Sequence, residues 1–426
     1  MLDRTTAPQI KDAVDFKLQL KQSEQFTLDN GIPIYSINAG AQDVTLVELV
    51  FYAGNWHEDQ NIVAGTTNFL LKNGTTKRSA FEINEHFEYY GAYLNRNCFN
   101  ETANITLHCL NKHLKDVLSV VSELITESIF SEEELAIYKQ NQIQRLKVSL
   151  QKCDFIANRL IDEHLFGFSH PYGRYTSIQD FEAITREQVV AFYNNYYQNG
   201  KCIIFVAGNL PADIFQQLNA VFGQLPLNKQ SLPEKNFAVS PSLEKKQRII
   251  NDANGVQGAV RMARSFPNRH HPDFIKAQVL NNLFGGFFGS RLMSNIREDK
   301  GYTYGIHSYF ENHVQESAWM ISTEAGRDVC EATINEVYKE MEILKKELVD
   351  EEELLLVRNY MIGSILGDLD GPFQIINRWK NYVLNGLDDS YFYNSINSIK
   401  TVSAEEIQQL AQKYFVKDDF FELVVV

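Results

Sequence analysis

Cysteine and proline are scarce in this sequence, and each scarcity excludes a class of protein. None of the five cysteines in 426 residues belongs to a Cys-x-x-Cys pair, which argues against a disulfide framework and a thiolate zinc site. With only 10 prolines and 44% hydrophobic residues, the composition is typical of a globular protein rather than a disordered or collagen-like one. The cysteines are expected to be reduced, buried small residues.

Long apolar runs are also absent. No stretch approaches the roughly eighteen uncharged apolar residues that a membrane-spanning helix needs. Residues 1–5 read Met-Leu-Asp-Arg-Thr, without the apolar core of a signal peptide. We therefore expect a cytoplasmic protein that does not enter the membrane.

Basic residues are outnumbered by acidic ones. Lys and Arg total 40 against 54 Asp and Glu, which gives a formal net charge of -14. Such a charge repels phosphate backbones and anionic lipid, and the sequence has no compensating basic patch. Nucleic acid is therefore not an expected partner. The length indicates two or more domains.

Two segments of the first half recur in the second half at almost one offset. An acidic helix start follows Ser131 and recurs after Asp350, 219 residues later. A second helix start at Thr185, with an apolar strand after the helix, recurs at Ser403, 218 residues later. Because chance helix caps have no reason to keep a common register, the sequence predicts a duplicated domain.

Each copy shows strands first, then clustered helices, then a helix that leads into a closing strand. Strands followed by helices favour an α+β fold over a doubly wound sheet. We therefore predict two tandem homologous domains, each an antiparallel-rich sheet packed with helices. The proline-containing connector places their predicted boundaries at residues 1–228 and 242–426, with a linker at 229–241.

The most distinctive string lies in the second copy, from Asn282 to Ile306. It predicts a helix with a glycine-rich kink, a left-handed cap at Gly301 and a strand that begins near Tyr304. Arg297 and Tyr304 would then flank one corner. A guanidinium and a phenol held together supply the donors that a peptide carbonyl or an anionic tetrahedral intermediate requires.

Ordinary structural roles are the alternative for these residues. Arg297 would then pair with Glu298 or cap a carbonyl, and Tyr304 would be a half-buried strand aromatic. The glycines of the run faintly resemble a phosphate loop. That interpretation fails because no Gly-Lys-Ser/Thr ending and no preceding parallel strand are present.

The spacing Arg297-x6-Tyr304, preceded by Ser290-Arg291-Leu292, resembles the C-terminal signature of the insulinase or pitrilysin peptidases. The similarity is to their small bacterial and mitochondrial-processing-type members. It extends along the chain through Leu28-Asp29-Asn30-Gly31, Gly74-Thr75 and His170-Pro171-Tyr172-Gly173-Arg174. This resemblance implies the metallopeptidase fold of that family in both copies.

Active members of that family carry the zinc motif His-x-x-Glu-His on a helix, with a third ligand from a later helix. Counted back from Gly74, the two His positions fall on Gly65 and Phe69 and the Glu position on Asn68. The stretch 135–153, which should supply the third ligand, contains no Asp or Glu. The ten histidines are scattered without an i, i+4 pair, so we expect no metal in this chain.

The resemblance therefore implies the zinc-less chain of a two-subunit peptidase. In that arrangement a homologous subunit carries the zinc motif, and Arg297 and Tyr304 bind substrate and the oxyanion in trans within a shared chamber. The expected partners are this subunit, in a heterodimer, and peptide substrates, while self-dimerisation in isolation stays open. The alternatives are a scaffold with no role in proteolysis and an autonomous peptidase with unorthodox ligands.

Overall fold

The computed structural model describes residues 11–426, which form two compact units. The first unit consists of Lys21–Glu244 and Gly371–Asn385. The second unit consists of residues 11–20, Lys245–Asp370 and Gly386–Val426. Each unit therefore includes a short segment that lies far away in sequence from the rest of it.

A six-stranded sheet is the centre of the first unit. Its strands are β1 Glu24–Thr27, β2 Pro33–Asn38, β3 Val44–Phe51, β4 Tyr93–Cys98, β5 Ala103–Leu110 and β6 Cys202–Gly208. The order is β1-β2-β6-β3-β5-β4, and only the β2–β6 pair is parallel. The strand β4 is therefore an edge strand, and β3 is central and almost entirely buried.

The described residues of the first half of the chain also form helices of this unit. These helices are α1 Val63–Leu70, α2 Ala80–Tyr89, α3 Leu114–Glu127, α4 Glu132–Ser149, α5 Cys153–Phe166, α6 Ile178–Ala183, α7 Arg186–Tyr193 and α8 Ile214–Phe222. Side-chain caps fix where several begin: Ser131 accepts the Glu134 N–H at α4, and Thr185 forms a capping box at α7. The apolar face of α3 joins the core of this unit.

The second unit contains a five-stranded sheet with the same connectivity. Its strands are β7 Lys246–Ile249, β8 Gln257–Phe266, β9 Thr303–Asn312, β10 Ser317–Gly326 and β11 Phe421–Val425. The order is β7-β11-β8-β10-β9, with β7 and β11 parallel. Strand for strand this repeats β2-β6-β3-β5-β4, so the predicted duplication is confirmed.

Two of the helices of the second half begin at the caps that the sequence indicates. The helices of this half are α9 Phe274–Asn281, α10 Cys330–Lys346, α11 Glu351–Gly367, α12 Pro372–Leu384, α13 Asp389–Thr401 and α14 Ala404–Tyr414. Asp350 caps α11 and Ser403 forms a capping box at α14, at the positions that correspond to Ser131 and Thr185. Both segments that recur in the sequence are therefore places where a helix begins.

The helix α12 belongs to the first unit although it follows α11 in the chain. It packs against β2 and β6 and buries Trp379, whose Nε1 donates to the carbonyl of Lys21 at 2.9 Å. Its Lys380 ammonium lies 2.9 Å from the buried carboxylate of Glu48 on β3. An ion pair in the interior therefore fixes this helix to the centre of the sheet.

Residues 11–20 precede the first unit in the chain but belong to the second unit. The Val14 N–H donates to Asn359 Oδ1 on α11 at 3.1 Å, and Lys400 Nζ on α13 donates to the Phe16 carbonyl at 2.9 Å. Val14 and Leu18 also pack against the second core. The first described residues therefore belong to the second unit, and the first unit begins at Lys21.

The predicted fold class, α+β with two homologous antiparallel-rich domains, is confirmed. The connector between α8 and β7 contains neither helix nor strand, as its composition indicates. The two compact units are defined by contacts between residues, and each combines separate segments of the chain. They therefore do not test where one homologous domain ends and the next begins, and the boundaries at 228 and 242 stay a prediction. None of the five cysteines forms a disulfide bond, but Cys98 and Cys153 are only partly buried, which corrects the expectation of full burial.

Candidate functional site

The corner of the distinctive string is a helix-to-strand turn of the second unit. A π-helical segment, Met293–Asp299, ends with the Lys300 N–H bonded to the Asn295 carbonyl at 3.0 Å. Gly301 then has φ +66°, which is the left-handed cap predicted from the sequence. The strand β9 begins two residues later. Arg297 and Tyr304 consequently lie on the two sides of one turn.

Arg297 is held by three neighbours at this corner. Its Nε donates to the Tyr304 carbonyl at 2.9 Å, and its Nη1 lies 3.6 Å from the Glu298 carboxylate. Its Cζ lies 4.6 Å from the ring centre of Phe288 and 5.7 Å from that of Tyr304. The guanidinium is therefore fixed in place and still partly open to solvent.

Tyr304 is almost completely solvent-exposed, at 93% of its possible surface. Its hydroxyl makes no hydrogen bond to any of residues 11–426. The prediction that Arg297 and Tyr304 lie together agrees with this arrangement. The alternative of a half-buried strand aromatic is wrong for Tyr304, whereas the Glu298 pair and the bonded carbonyl proposed for Arg297 are both present.

The glycine-rich loop before the corner is shaped by packing. A Cβ on Gly285 would lie 2.7 Å from the Ser308 Cβ on β9, so glycine is needed for close approach of the helix to the strand. Arg291, which follows the loop, makes two hydrogen bonds of 2.8 and 2.7 Å to Glu353 on α11. These contacts fix the loop that presents Phe288, which is 63% exposed.

The three positions aligned with the zinc motif lie on α1 of the first unit. Gly65 contributes no side chain, and a Cβ added there would meet nothing within 4 Å. Asn68 is buried, and its Nδ2 donates to the Tyr197 hydroxyl at 3.1 Å. The Phe69 ring is 40% exposed and lies 4.8 Å from the ring of Tyr138 on α4. These residues do not fit a zinc ion.

The helix α4, which should carry a third ligand, faces α1 with Tyr138 instead of a carboxylate. Its acidic residues are confined to the first turn, where Glu134 accepts a hydrogen bond of 2.7 Å from Asn73. Within residues 11–426 no group of three His, Cys, Asp or Glu side chains is placed to hold a metal. No reaction step is therefore assigned to a metal in this chain.

A buried pair beside α1 was not identified from the sequence. Glu58 accepts the N–H groups of Ile62 and Ala64 at 3.2 and 3.0 Å, which satisfies the start of the helix. Ile62 has φ +69°, an unfavourable conformation for a β-branched residue. Burial raises the pKa of Glu58 to about 7 and lowers the pKa of neighbouring His57 to about 4. No motif signals this pair, because its burial depends on distant residues.

The chain matches two family models and several curated proteins. The description "Insulinase (Peptidase family M16)" matches residues 34–166, and "Peptidase M16 inactive domain" matches residues 183–361. The uncharacterized zinc protease YmxG of Bacillus subtilis is 24% identical over 94% of this chain and 98% of its own length. The non-peptidase homolog YmxG of Helicobacter pylori is 24% identical over 89% of this chain and 88% of its own.

Solved structures show the same fold. The peptidase M16 inactive domain from Pseudomonas fluorescens superposes with a TM-score of 0.83 at 22% identity, over 95% of this chain and 98% of that one. Within residues 11–426, no helix is both long and apolar enough to cross a bilayer. The expectation about a signal peptide concerns residues 1–5, which lie outside the described residues.

Proposed function

The chain belongs to the insulinase, or M16, family of peptidases, and from this premise we propose that it is a non-catalytic subunit of a zinc-dependent peptidase. In this proposal a homologous partner supplies the metal and the attacking water. This chain supplies substrate binding and oxyanion stabilisation through Arg297 and Tyr304. The two chains together form a chamber that degrades peptides.

The observation that carries the proposal is the exposed Tyr304 beside an immobilised guanidinium. A phenol O–H and a fixed cation stabilise an oxyanion strongly only when water is excluded from them. Because Tyr304 is 93% exposed, that exclusion has to come from substrate or a second chain. Because the Tyr304 hydroxyl can stabilise an oxyanion strongly only when substrate or a second chain covers it, its exposure supports a role in trans.

Loss of the Tyr304 hydroxyl tests this role in a complex reconstituted with a homologue that carries His-x-x-Glu-His. We expect Tyr304→Phe to lower kcat/KM for peptide cleavage roughly a hundredfold, because one oxyanion donor is lost. Tyr309→Phe, at a 40% exposed tyrosine on the same strand, is the matched control and should keep full activity. Unchanged cleavage with both Tyr304→Phe and Arg297→Ala would refute the assignment.

A scaffold without a role in proteolysis is the second candidate. The Glu298 pair and the bonded carbonyl at Arg297 are contacts that a structural arginine also makes. If this candidate is correct, Arg297→Ala should weaken the complex or its stability while the cleavage rate per assembled complex stays unchanged. Arg297→Lys separates charge from geometry, because it keeps the cation but loses the planar guanidinium that lies over Phe288.

The remaining parts of the proposal are the heterodimer and its location. We propose a cytoplasmic pair with the zinc-bearing homologue. Light scattering of the chain alone and of the mixture distinguishes heterodimer from self-dimer. Fractionation of cells that express a tagged chain tests the location.

A further inference from the structure

The position of the missing zinc motif contains a cation from the protein itself. Arg96 lies on the edge strand β4, and its side chain reaches the end of α1. Its Nη1 donates to the Phe69 carbonyl, and its Cζ lies 5.5 Å from the centre of the Phe69 ring. A guanidinium therefore lies against the residue that aligns with the second zinc-binding histidine.

This guanidinium has no counter-ion among residues 11–426. Its Nε is buried without a hydrogen-bond partner, and Nη2 makes no hydrogen bond to the described residues. Burial lowers the pKa of Arg96 to about 10, and the pKa of Lys72 is lowered first by burial and second by the charge of Arg96. A partly buried positive charge without a carboxylate costs stability, which a bound anion would offset.

Space for such an anion exists on the same face of α1. Gly65 precedes Phe69 by one helical turn and leaves open the volume that a side chain would fill. Phe69 is 40% exposed, so the face reaches solvent. The arrangement has a fixed donor, an aromatic wall and an opening.

We propose that Arg96 binds a carboxylate of a peptide at this face of α1, in the place where family members with the complete motif hold their metal. This inference rests on the proposed function in one respect, namely that the ligand is a peptide. The carboxylate comes either from the peptide C-terminus or from an acidic side chain, and both present the same planar pair of oxygens to the guanidinium. The capping bond to Phe69 leaves Nη2 for this contact.

The test uses one fluorescein-labelled alanine–leucine pentapeptide in three forms: a free acid, a C-terminal amide, and an amide that ends in Glu. Binding to the full chain is measured by fluorescence anisotropy. We expect at least one carboxylate form to bind ten or more times more tightly than the plain amide, and the two acidic forms identify the source. Equal affinity of all three peptides for the wild-type chain would overturn the proposal.

Substitutions assign the effect to Arg96. Arg96→Met should remove the preference for carboxylate, and Arg96→Lys should retain part of it, which keeps the test valid if the methionine variant does not fold. Arg159→Met is the matched control, because the Arg159 guanidinium also lies over an aromatic ring, 3.8 Å from the centre of Tyr175. A preference that persists in folded Arg96→Met would contradict the assignment.

The outcomes are independent of those for Tyr304. Carboxylate-dependent binding to the chain, together with cleavage by the complex that is unchanged in both Tyr304→Phe and Arg297→Ala, would refute the proposed function and support this site. Cleavage that depends on Tyr304, with no dependence of binding on a carboxylate, would support the proposed function and refute this site.

Discussion

The neighbours His57 and Glu58 respond to pH in opposite directions. The pKa of His57 is about 4 in the folded chain against 6.5 ordinarily, so its contribution to stability is complete above pH 6.5 and is lost as pH falls towards 4. The pKa of Glu58 is about 7 against 4.5 ordinarily, so its contribution is complete below pH 4.5 and is lost as pH rises through 7. The two effects partly cancel between pH 4 and 7.

Replacing His57 should reveal that cancellation. We expect the stability of His57→Gln relative to wild type to improve as pH falls from 7 to 4.5, by up to roughly 3 kcal/mol, because the variant no longer resists protonation. Urea denaturation at several pH values measures the difference. His270→Gln, at an exposed loop histidine, is the control, and a parallel pH profile for both variants would contradict the prediction.

Single residues of the candidate site are predictable from the sequence where they belong to one short segment. Arg297 and Tyr304 are seven residues apart, so the helix end and Gly301 are enough to predict that they meet. Phe288 beside Arg297, and Arg96 against Phe69, join different elements. No local pattern predicts such contacts, because they depend on how a strand and a helix pack.

The element with the greatest departure from chain order is α12. Its Lys380 neutralises Glu48, which is buried and also accepts a hydrogen bond from Asn104. Removing one member of a buried ion pair leaves an uncompensated charge, whereas removing both charges does not.

Lys380→Met should therefore destabilise the chain by about 3 kcal/mol in urea denaturation. The double variant Glu48→Gln/Lys380→Met should recover part of this loss. Lys346→Met removes a lysine whose side chain is 73% exposed and should cost less than about 0.5 kcal/mol. If the double variant is as unstable as the single one, the ion pair does not explain the position of α12.

Helices and strands are predictable from the sequence where the pattern that indicates them lies within a few neighbouring residues. Ser131, Thr185, Asp350 and Ser403 begin helices as expected, since a cap needs only the next three residues. The sequence indicates a helix-rich stretch over roughly 132–166, and the structure divides it between α4 and α5. The exchange of α12 and residues 11–20 has no such signal, because each packs against residues from the far end of the chain.

At the scale of the whole molecule, the duplication was predictable because the repeat offsets agree, whereas the partner is implied only by the family resemblance. We expect the purified chain to bind less than a tenth of an equivalent of zinc and to cleave no peptide, because Gly65, Asn68 and Phe69 offer no ligand. Elemental analysis and a peptide-cleavage assay measure both. One tightly bound zinc per chain would contradict this prediction, and the zinc-bearing homologue serves as the positive control.

The exchanged segments also determine how the protein can be divided. A cut in the connector near residue 235 would leave α12 on the C-terminal fragment and residues 11–20 on the N-terminal one, each separated from the sheet or helices that it covers. Neither fragment would then carry a complete interior. When the two fragments are co-expressed, each should supply the segment that the other lacks and so restore folding. The two halves of this duplicated chain would then depend on each other to fold.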